Sequence, residues 1–173
     1  LAGSSAASDV YKRQILEGIK ENTSAAVVYD KEASENHFDA DIAIVVIGET
    51  PYAEMFGDIN EDTTDRKLTL SKAHQKYIST YREKGIKTVV ILISGRPLVI
   101  TKQLQQSDAF VAAWLPGSEG DGIAEVLFGA YNFKGKLPHS WPKSVHDFEG
   151  KYGVNFWDTA TTPLFKIGYG LKY

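Results

Sequence analysis

Apolar residues occur along the chain in three short runs that do not alternate with polar residues. The runs cover residues 42–47, 88–93 and 109–114. Strands that are apolar on both faces are typical of parallel sheets covered by helices on both sides. A shorter apolar run at residues 25–29 predicts a further strand before these three. The pattern therefore predicts a buried, mostly parallel sheet.

Segments of helical periodicity fill the intervals, at residues 15–21, 72–84, 98–105 and 119–128. Ser71 is predicted to cap the second of these helices. Ser118 is predicted to cap the last one, with Asp121 as its capping-box partner. Strands that alternate with helices predict an α/β fold: a flavodoxin-like, open and mostly parallel sheet with helices on both faces, also called an α/β sandwich.

The first fourteen residues have no convincing period. Residues 4–14 resemble a translated sequencing adapter, so we expect residues 1–14 to be a non-native scar or a disordered leader. Residues 15–173 then form one domain. A formal net charge of -3 gives no reason to expect nucleic acid or an anionic membrane as a partner. No apolar run approaches the roughly 20 residues that cross a bilayer.

Three carboxylates, Glu49, Glu54 and Asp58, follow the first long apolar run within eleven residues. Ligands of open α/β sheets bind at the carboxyl edge of the strands, where Arg96 and Trp114 are also predicted to emerge. An acid, a guanidinium and an indole on one rim fit a sugar or phosphate site. The alternative, that they are solvated loop residues, fits the pattern equally well.

Other site chemistries are not favoured by the sequence. The four histidines lack the spacing of metal ligands, and the absence of cysteine excludes thiolate sites. Neither a phosphate loop nor a dinucleotide-binding fingerprint is present. We therefore predict no metal and no cofactor.

Five blocks of the chain resemble the motifs of one protein family and occur in the same order as in that family. They lie at residues 43–58, 93–97, 112–120, 135–138 and 167–171. They are similar to glycoside hydrolase family 3, in particular to the C-terminal α/β-sandwich domain of β-glucosidases and β-glucan exohydrolases. The resemblance implies a retaining enzyme that removes glucose from the non-reducing end of β-glucans and β-glucosides. It also implies a partner, a preceding (β/α)₈-barrel domain that bears the nucleophilic aspartate and is absent from this chain.

The resemblance assigns the general acid/base role to Glu54. It makes Glu49 and Asp58 supporting residues, and Arg96 is either a substrate contact on the rim or an ion-pair partner of the loop after residue 48. Retention requires two carboxyl groups about 5–5.5 Å apart. Since one of them belongs to the absent domain, we expect this chain alone to hydrolyse nothing. A periplasmic or secreted location is implied by the relatives.

Two other functions fit the same residues. A stand-alone flavodoxin-like module could hold flavin or sugar near Arg96 and Trp114, and a purely structural accessory domain would need no site. Trp114 is predicted to pack in the core or at a domain interface, and Trp141 and Trp157 to pack in the tail. Aromatic residues of the tail, among them Phe156, Trp157 and Phe165, either dock the barrel or pack within the tail.

Overall fold

The computed structural model describes residues 6–33, 38–49, 68–147 and 162–173. Its helices are α1 (Ala6–Glu21), α2 (Lys72–Glu83), α3 (Thr101–Gln105) and α4 (Gly120–Leu127). Its strands are β1 (Ile42–Gly48), β2 (Lys87–Ile93) and β3 (Ala109–Trp114), and a 3-10 turn covers Val145–Asp147. Each of the three long apolar runs is therefore a strand, as predicted.

The three strands form a parallel sheet in the order β1-β2-β3. Ile44 of β1 lies opposite Val89 of β2, and Leu92 of β2 lies opposite Ala112 of β3. Helices cover both faces, which confirms the predicted α/β fold. The apolar pattern of β1 predicts a central position, but β2 is the central strand of the described sheet and β1 lies at its edge.

A hydrophobic core lies on each face of the sheet. The α2/α3 face buries Ile78 of α2 and Trp141 against strand residues Ala43, Val45, Ile47, Val90, Leu92 and Phe110. The α1/α4 face buries Ile15, Ile19, Ile91, Ile93 and Ala124. Complete burial of such a side chain contributes about 1.5–3 kcal/mol. The two cores hold the strands between them and so fix where each strand ends.

Helices α1 and α4 cross closely because a glycine lies at the contact. A Cβ atom on Gly120 would lie 2.5 Å from the backbone carbonyl carbon of Gln14, well inside van der Waals contact. On the other helix, a Cβ atom on Gly18 would lie 2.8 Å from Asp121. The absence of a side chain at these positions lets the two backbones approach.

One predicted helix cap is confirmed and the other is wrong. The Ser71 hydroxyl accepts a hydrogen bond from the His74 backbone N–H at 3.1 Å at the start of α2. At α4 the capping residue is Glu119, which makes no side-chain cap, and the Ser118 hydroxyl instead donates to Glu119 Oε1 at 2.9 Å. The helix begins one residue later than predicted, so Ser118 is too early to reach an orphan amide, and Asp121 has no capping-box partner.

Two helices, α1 and α3, begin several residues away from their predicted starts. Helix α1 begins at Ala6 rather than residue 15, because residues 6–17 contain no glycine or proline that would end a helix. Helix α3 is shorter than predicted, because Val99 forms a parallel bridge with Thr69 before the helix starts. The assignment of residues 1–14 as non-native stays a prediction, and α1 extends across its boundary.

The predicted strand at residues 25–29 is wrong for the described structure. These residues follow α1 as irregular chain and pair with no described strand. Val27 packs against the α1/α4 face, while Val28 and Tyr29 are 63% and 46% exposed. A strand needs a neighbour to complete its hydrogen bonds, and apolar composition alone does not supply one.

The tail folds back on the α2/α3 face through two extended pieces. The Leu137 N–H donates to the Tyr169 carbonyl at 2.8 Å, and Trp141 forms an antiparallel bridge with Phe165. The Trp141 indole N–H donates to the Leu98 carbonyl at 2.8 Å in a buried position, which confirms its predicted packing role. Phe165 also packs here and stacks on Tyr169, with ring centroids 4.4 Å apart. Phe156 and Trp157 lie outside the described residues.

Candidate functional site

The carboxyl ends of the three strands are joined by backbone hydrogen bonds. The Glu49 N–H, just after β1, donates to the Ile93 carbonyl at the end of β2, at 3.0 Å. The Ser94 N–H donates in turn to the Trp114 carbonyl at the end of β3, at 3.1 Å. Gly48 permits the first of these contacts, since a Cβ atom there would lie 2.8 Å from the Ile93 oxygen. The edge is therefore a rigid platform at the point where the chain leaves β1.

Glu49 and Arg96 form an ion pair on this platform. Arg96 Nε and Nη2 donate to Glu49 Oε1 at 3.0 and 2.9 Å. Both side chains are only 12% exposed. The Ser94 hydroxyl holds the following turn by donating to the Arg96 carbonyl at 2.7 Å. Of the two roles left open for Arg96, the structure shows the ion pair that holds the start of the loop.

The electrostatics of Glu49 combine two opposing effects. Burial raises the pKa of the Glu49 carboxyl above its ordinary value of 4.5, and the hydrogen bond and charge of Arg96 lower it in part. Its second oxygen, Oε2, is buried and has no hydrogen-bond partner among the described residues. A buried acceptor of this kind costs about 1–3 kcal/mol if it stays unsatisfied. Arg96 therefore fixes the position of Glu49 through Oε1, and Oε2 can still accept a hydrogen bond.

Trp114 ends β3 in a conformation that the sequence does not reveal. Its φ is +53°, in the left-handed region that bulky residues rarely adopt, and the register between β2 and β3 shifts at this point. The indole lies edge-on to His139, with ring centroids 5.6 Å apart, and 5.9 Å from Trp141. It packs against the α2/α3 core, as predicted. The contact with His139 was not predicted, since no local pattern links the two residues.

The predicted site residues fall into two groups. Glu49 and Arg96 are brought together at the carboxyl edge. Glu54 and Asp58 lie outside the described residues. Within the described ranges no group of three or more His, Asp or Glu side chains could hold a metal ion. No helix in the same ranges combines the length and the apolar character that crossing a membrane requires.

A separate apolar hollow of about 590 Å³ lies along β3, away from the ion pair. Phe110, Ala112 and Trp114 line it from the strand, and Leu137 and Tyr169 line it from the tail. Its wall is mostly hydrophobic, with Asp108, Lys136 and Lys172 as its charged residues. Its size and apolar wall are those of a small-ligand pocket, and neither Glu49 nor Arg96 lines it.

Together these features define an open α/β domain with an acid–guanidinium pair at the carboxyl edge of its sheet. The glycosyl hydrolase family 3 C-terminal domain matches residues 1–173, and the chain belongs to this family. The periplasmic β-glucosidase of Salmonella typhimurium is 34% identical over 160 residues, which cover 82% of this chain and 20% of that protein. The lysosomal β-glucosidase of Dictyostelium discoideum is 39% identical over 145 residues, covering 82% and 17% respectively.

A solved structure supports the same fold. The exo-1,3/1,4-β-glucanase ExoP of a Pseudoalteromonas species is 37% identical and has a TM-score of 0.75, with 91% of this chain and 20% of that chain covered. The chain thus spans about a fifth of the length of these relatives. The relatives are glycoside hydrolases, and this chain corresponds to their C-terminal domain.

Proposed function

We propose that the chain is the acid/base-bearing C-terminal part of a retaining, exo-acting β-glucosidase or β-glucan glucohydrolase. Glu54 is the general acid/base, Glu49, Asp58 and Arg96 support it, and the nucleophilic aspartate lies on an N-terminal barrel domain of the same parent protein. Membership of the family supports the reaction class. No metal and no cofactor take part in this chemistry.

The observation that carries the proposal is the buried ion pair at the end of β1. Glu49 is fixed by its backbone bond to Ile93 and by Arg96. Glu54 follows five residues later, so its segment starts from a rigid point at the ligand-binding edge of the sheet. Precise placement is what a proton donor needs, because general acid catalysis requires hydrogen-bond reach to the leaving oxygen.

In this mechanism the two carboxyl groups act in sequence. The barrel aspartate attacks the anomeric carbon while Glu54 protonates the departing glycosidic oxygen, and Glu54 then takes a proton from the water that releases glucose. Docking of the two domains brings the groups together and removes water, which raises the pKa of the acid. The 173-residue chain alone lacks the nucleophile and hydrolyses nothing.

The substrate class is a β-glucan or β-glucoside, and the location is periplasmic or secreted. The similar proteins support this proposal, since they include a periplasmic β-glucosidase, a lysosomal β-glucosidase and an exo-β-glucanase. Neither nucleic acid nor a membrane is a partner in this proposal, because the net charge of -3 offers no attraction for either.

The test compares Glu54→Gln with Glu61→Gln in the longer parent enzyme. Loss of a general acid lowers kcat/KM by about 10²–10⁴-fold on cellobiose, whose leaving group needs protonation. The loss is much smaller on a dinitrophenyl glucoside, whose leaving group departs unprotonated. Glu61→Gln removes a carboxylate from the same segment and leaves kcat/KM on both substrates unchanged. Undiminished cellobiose hydrolysis by Glu54→Gln would refute the assignment.

The hollow beside β3 favours a second candidate function, a binding module for flavin or sugar. Its volume and apolar wall suit a small ligand. Titration of the 173-residue chain with flavin mononucleotide and with glucose, followed by tryptophan fluorescence, tests it because Trp114 and Trp141 line the hollow. A saturable change would favour this function, and a flat response to both ligands removes it.

A further inference from the structure

The apolar hollow along β3 has a buried floor and an exposed rim. Phe110 and Trp141 belong to the floor and are 9% and 2% exposed. Lys136, Lys172 and Tyr173 also line the hollow and are exposed, so it opens to solvent on their side. Its volume of about 590 Å³ lies within the range of about 300–1,000 Å³ that is usual for small-molecule sites. A ligand of this size would place an apolar part on the floor and a polar part at the rim.

Two pairs of aromatic rings line the hollow. Phe165 and Tyr169 are stacked, with their ring centroids 4.4 Å apart. Phe133 and Tyr173 form the second pair, with their ring centroids 5.3 Å apart. Aromatic rings attract other flat apolar groups through their faces and edges, in addition to the gain from burial. The wall therefore favours a ligand whose apolar part is a flat ring system.

The charged residues of the hollow leave it with an excess of positive charge. Asp108 is the one acidic residue among the described residues that line it, and its carboxylate already has partners. Asp108 Oδ2 accepts a hydrogen bond from the Thr88 N–H at 2.8 Å, and Oδ1 lies 3.7 Å from Arg82 Nη1. Lys136 and Lys172 form no ion pair with a side chain in the described ranges. Two such ammonium groups at the rim attract an anion.

Two glycines fix the course of the Lys136 side chain. The backbones at Gly135 and Gly170 are so close that a Cβ atom on Gly170 would overlap the Gly135 carbonyl oxygen. The same Cβ atom would lie 2.8 Å from Lys136 Cδ and 3.1 Å from its Nζ, so the lysine stem lies directly on Gly170. Lysine stems pack on a surface in this way while the ammonium group stays in water. Because Gly170 and Lys136 both line the hollow, the ammonium group is held at its rim.

We propose that the hollow binds a small, flat apolar molecule that carries one acidic group, a carboxylate, sulfonate or phosphate. The flat part lies against the aromatic wall, and the anionic group lies at the rim near Lys136 and Lys172. This inference rests on the second candidate function, a binding module at the same hollow, and narrows the ligand to amphiphilic anions. Flavin mononucleotide belongs to this class of ligand and glucose does not.

Two fluorescent naphthalene probes that differ in charge test the proposal. Anilinonaphthalene sulfonate is anionic, and N-phenylnaphthylamine has the same rings without the sulfonate. Replacing both lysines, by Lys136→Met with Lys172→Met, is expected to weaken binding of the anionic probe to the 173-residue chain about 3–10-fold, as for two exposed ion pairs. Binding of the neutral probe stays unchanged. Lys134→Met, at an exposed lysine outside the lining, is the matched control and changes neither affinity.

A pair of alanine substitutions tests where the probes bind. Ala109 is exposed and lines the hollow, so Ala109→Trp places an indole there and is expected to abolish saturable binding of both probes. Ala26→Trp, at an exposed alanine outside the hollow, leaves both affinities unchanged. Unchanged probe binding by Ala109→Trp would place the site elsewhere and overturn the proposal.

Other results would overturn the proposal in distinguishable ways. Equal affinity for the two probes, unchanged by the loss of both lysines, would show that the hollow selects apolar character alone. Saturable binding of glucose without binding of the sulfonate would refute this ligand class and leave the second candidate function standing. Probe binding by the 173-residue chain but not by the longer parent enzyme would show that the parent polypeptide fills the hollow.

Discussion

Strands β1 and β2 have nearly the same apolar composition, yet the structure buries them differently. In β2 the side chains of Val90, Ile91 and Leu92 are completely buried, so both faces are covered. In β1 the α2/α3 face is buried, and Ile44 and Val46 are only partly buried on the other face. The burial of a strand thus depends on the elements that pack against it as well as on its own composition.

The largest expected effect lies where the two strands are joined by an ion pair. Arg96→Met leaves the Glu49 carboxylate buried without its cation, and breaking a buried pair in this way costs about 3–5 kcal/mol of unfolding free energy. Urea unfolding of the chain measures it. Arg82→Met is the matched control, because Arg82 pairs with Asp108 at 3.7 Å and both are about half-exposed. Equal losses for the two variants would contradict the buried pair.

The next effect compares isoleucines on the same face of the two strands. Ile91→Ala in β2 is expected to lower the unfolding free energy by about 2–5 kcal/mol, since a fully buried side chain leaves a cavity. Ile44→Ala in β1 is expected to cost less, because that side chain is only partly buried. Denaturant titrations of both variants measure these two free energies. Similar losses of unfolding free energy would show that the two side chains are equally buried.

A smaller effect concerns the helix that connects the two strands. Ser71→Ala removes the cap of α2 and is expected to cost about 1 kcal/mol. Ser118→Ala is expected to cost almost nothing, since Ser118 caps no helix. Thermal unfolding of the two variants checks this difference. A larger loss of thermal stability for Ser118→Ala than for Ser71→Ala would show that Ser118 caps α4, as the sequence predicts.

The last prediction uses the raised pKa of Glu49 at the end of β1. A group with a raised folded pKa contributes stability that is present below its unfolded value of 4.5 and is lost as the pH rises through the folded pKa. The unfolding free energy of the unsubstituted chain should therefore fall, relative to Glu49→Gln, as the pH rises above 4.5. Urea titrations across this range measure the difference. A rise of the unfolding free energy relative to Glu49→Gln over this range would refute the raised pKa of Glu49.

Features with a local physical cause could be predicted from the sequence. The three strands of the sheet, the α/β class and the Ser71 cap depend on periodicity and on residues a few positions apart. Features that depend on distant partners could not. The ion pair of Arg96 depends on the fold, and residues 25–29 have strand composition but form no strand in the described structure. The left-handed Trp114 has no sequence signal at all.

For the candidate site the same division holds. The pattern placed Glu49 and Arg96 at one edge because parallel strands share a carboxyl end, and the structure brings them within 2.9 Å. The ion pair between them is a property of the fold, since 47 residues separate them in the chain. The role of Glu54 rests on the family resemblance and on the ion pair five residues before it, and it stays a proposal because Glu54 lies outside the described residues.

The close indoles of Trp114 and Trp141 give the molecule an optical label of its own. Their ring centroids are 5.9 Å apart, one at the end of β3 and the other fixed by the Leu98 carbonyl. Neighbouring indoles couple their electronic transitions, which produces a paired circular dichroism band that depends on their mutual angle. Any event that shifts the end of β3, whether a ligand or a docking domain, can therefore be followed spectroscopically without an added dye.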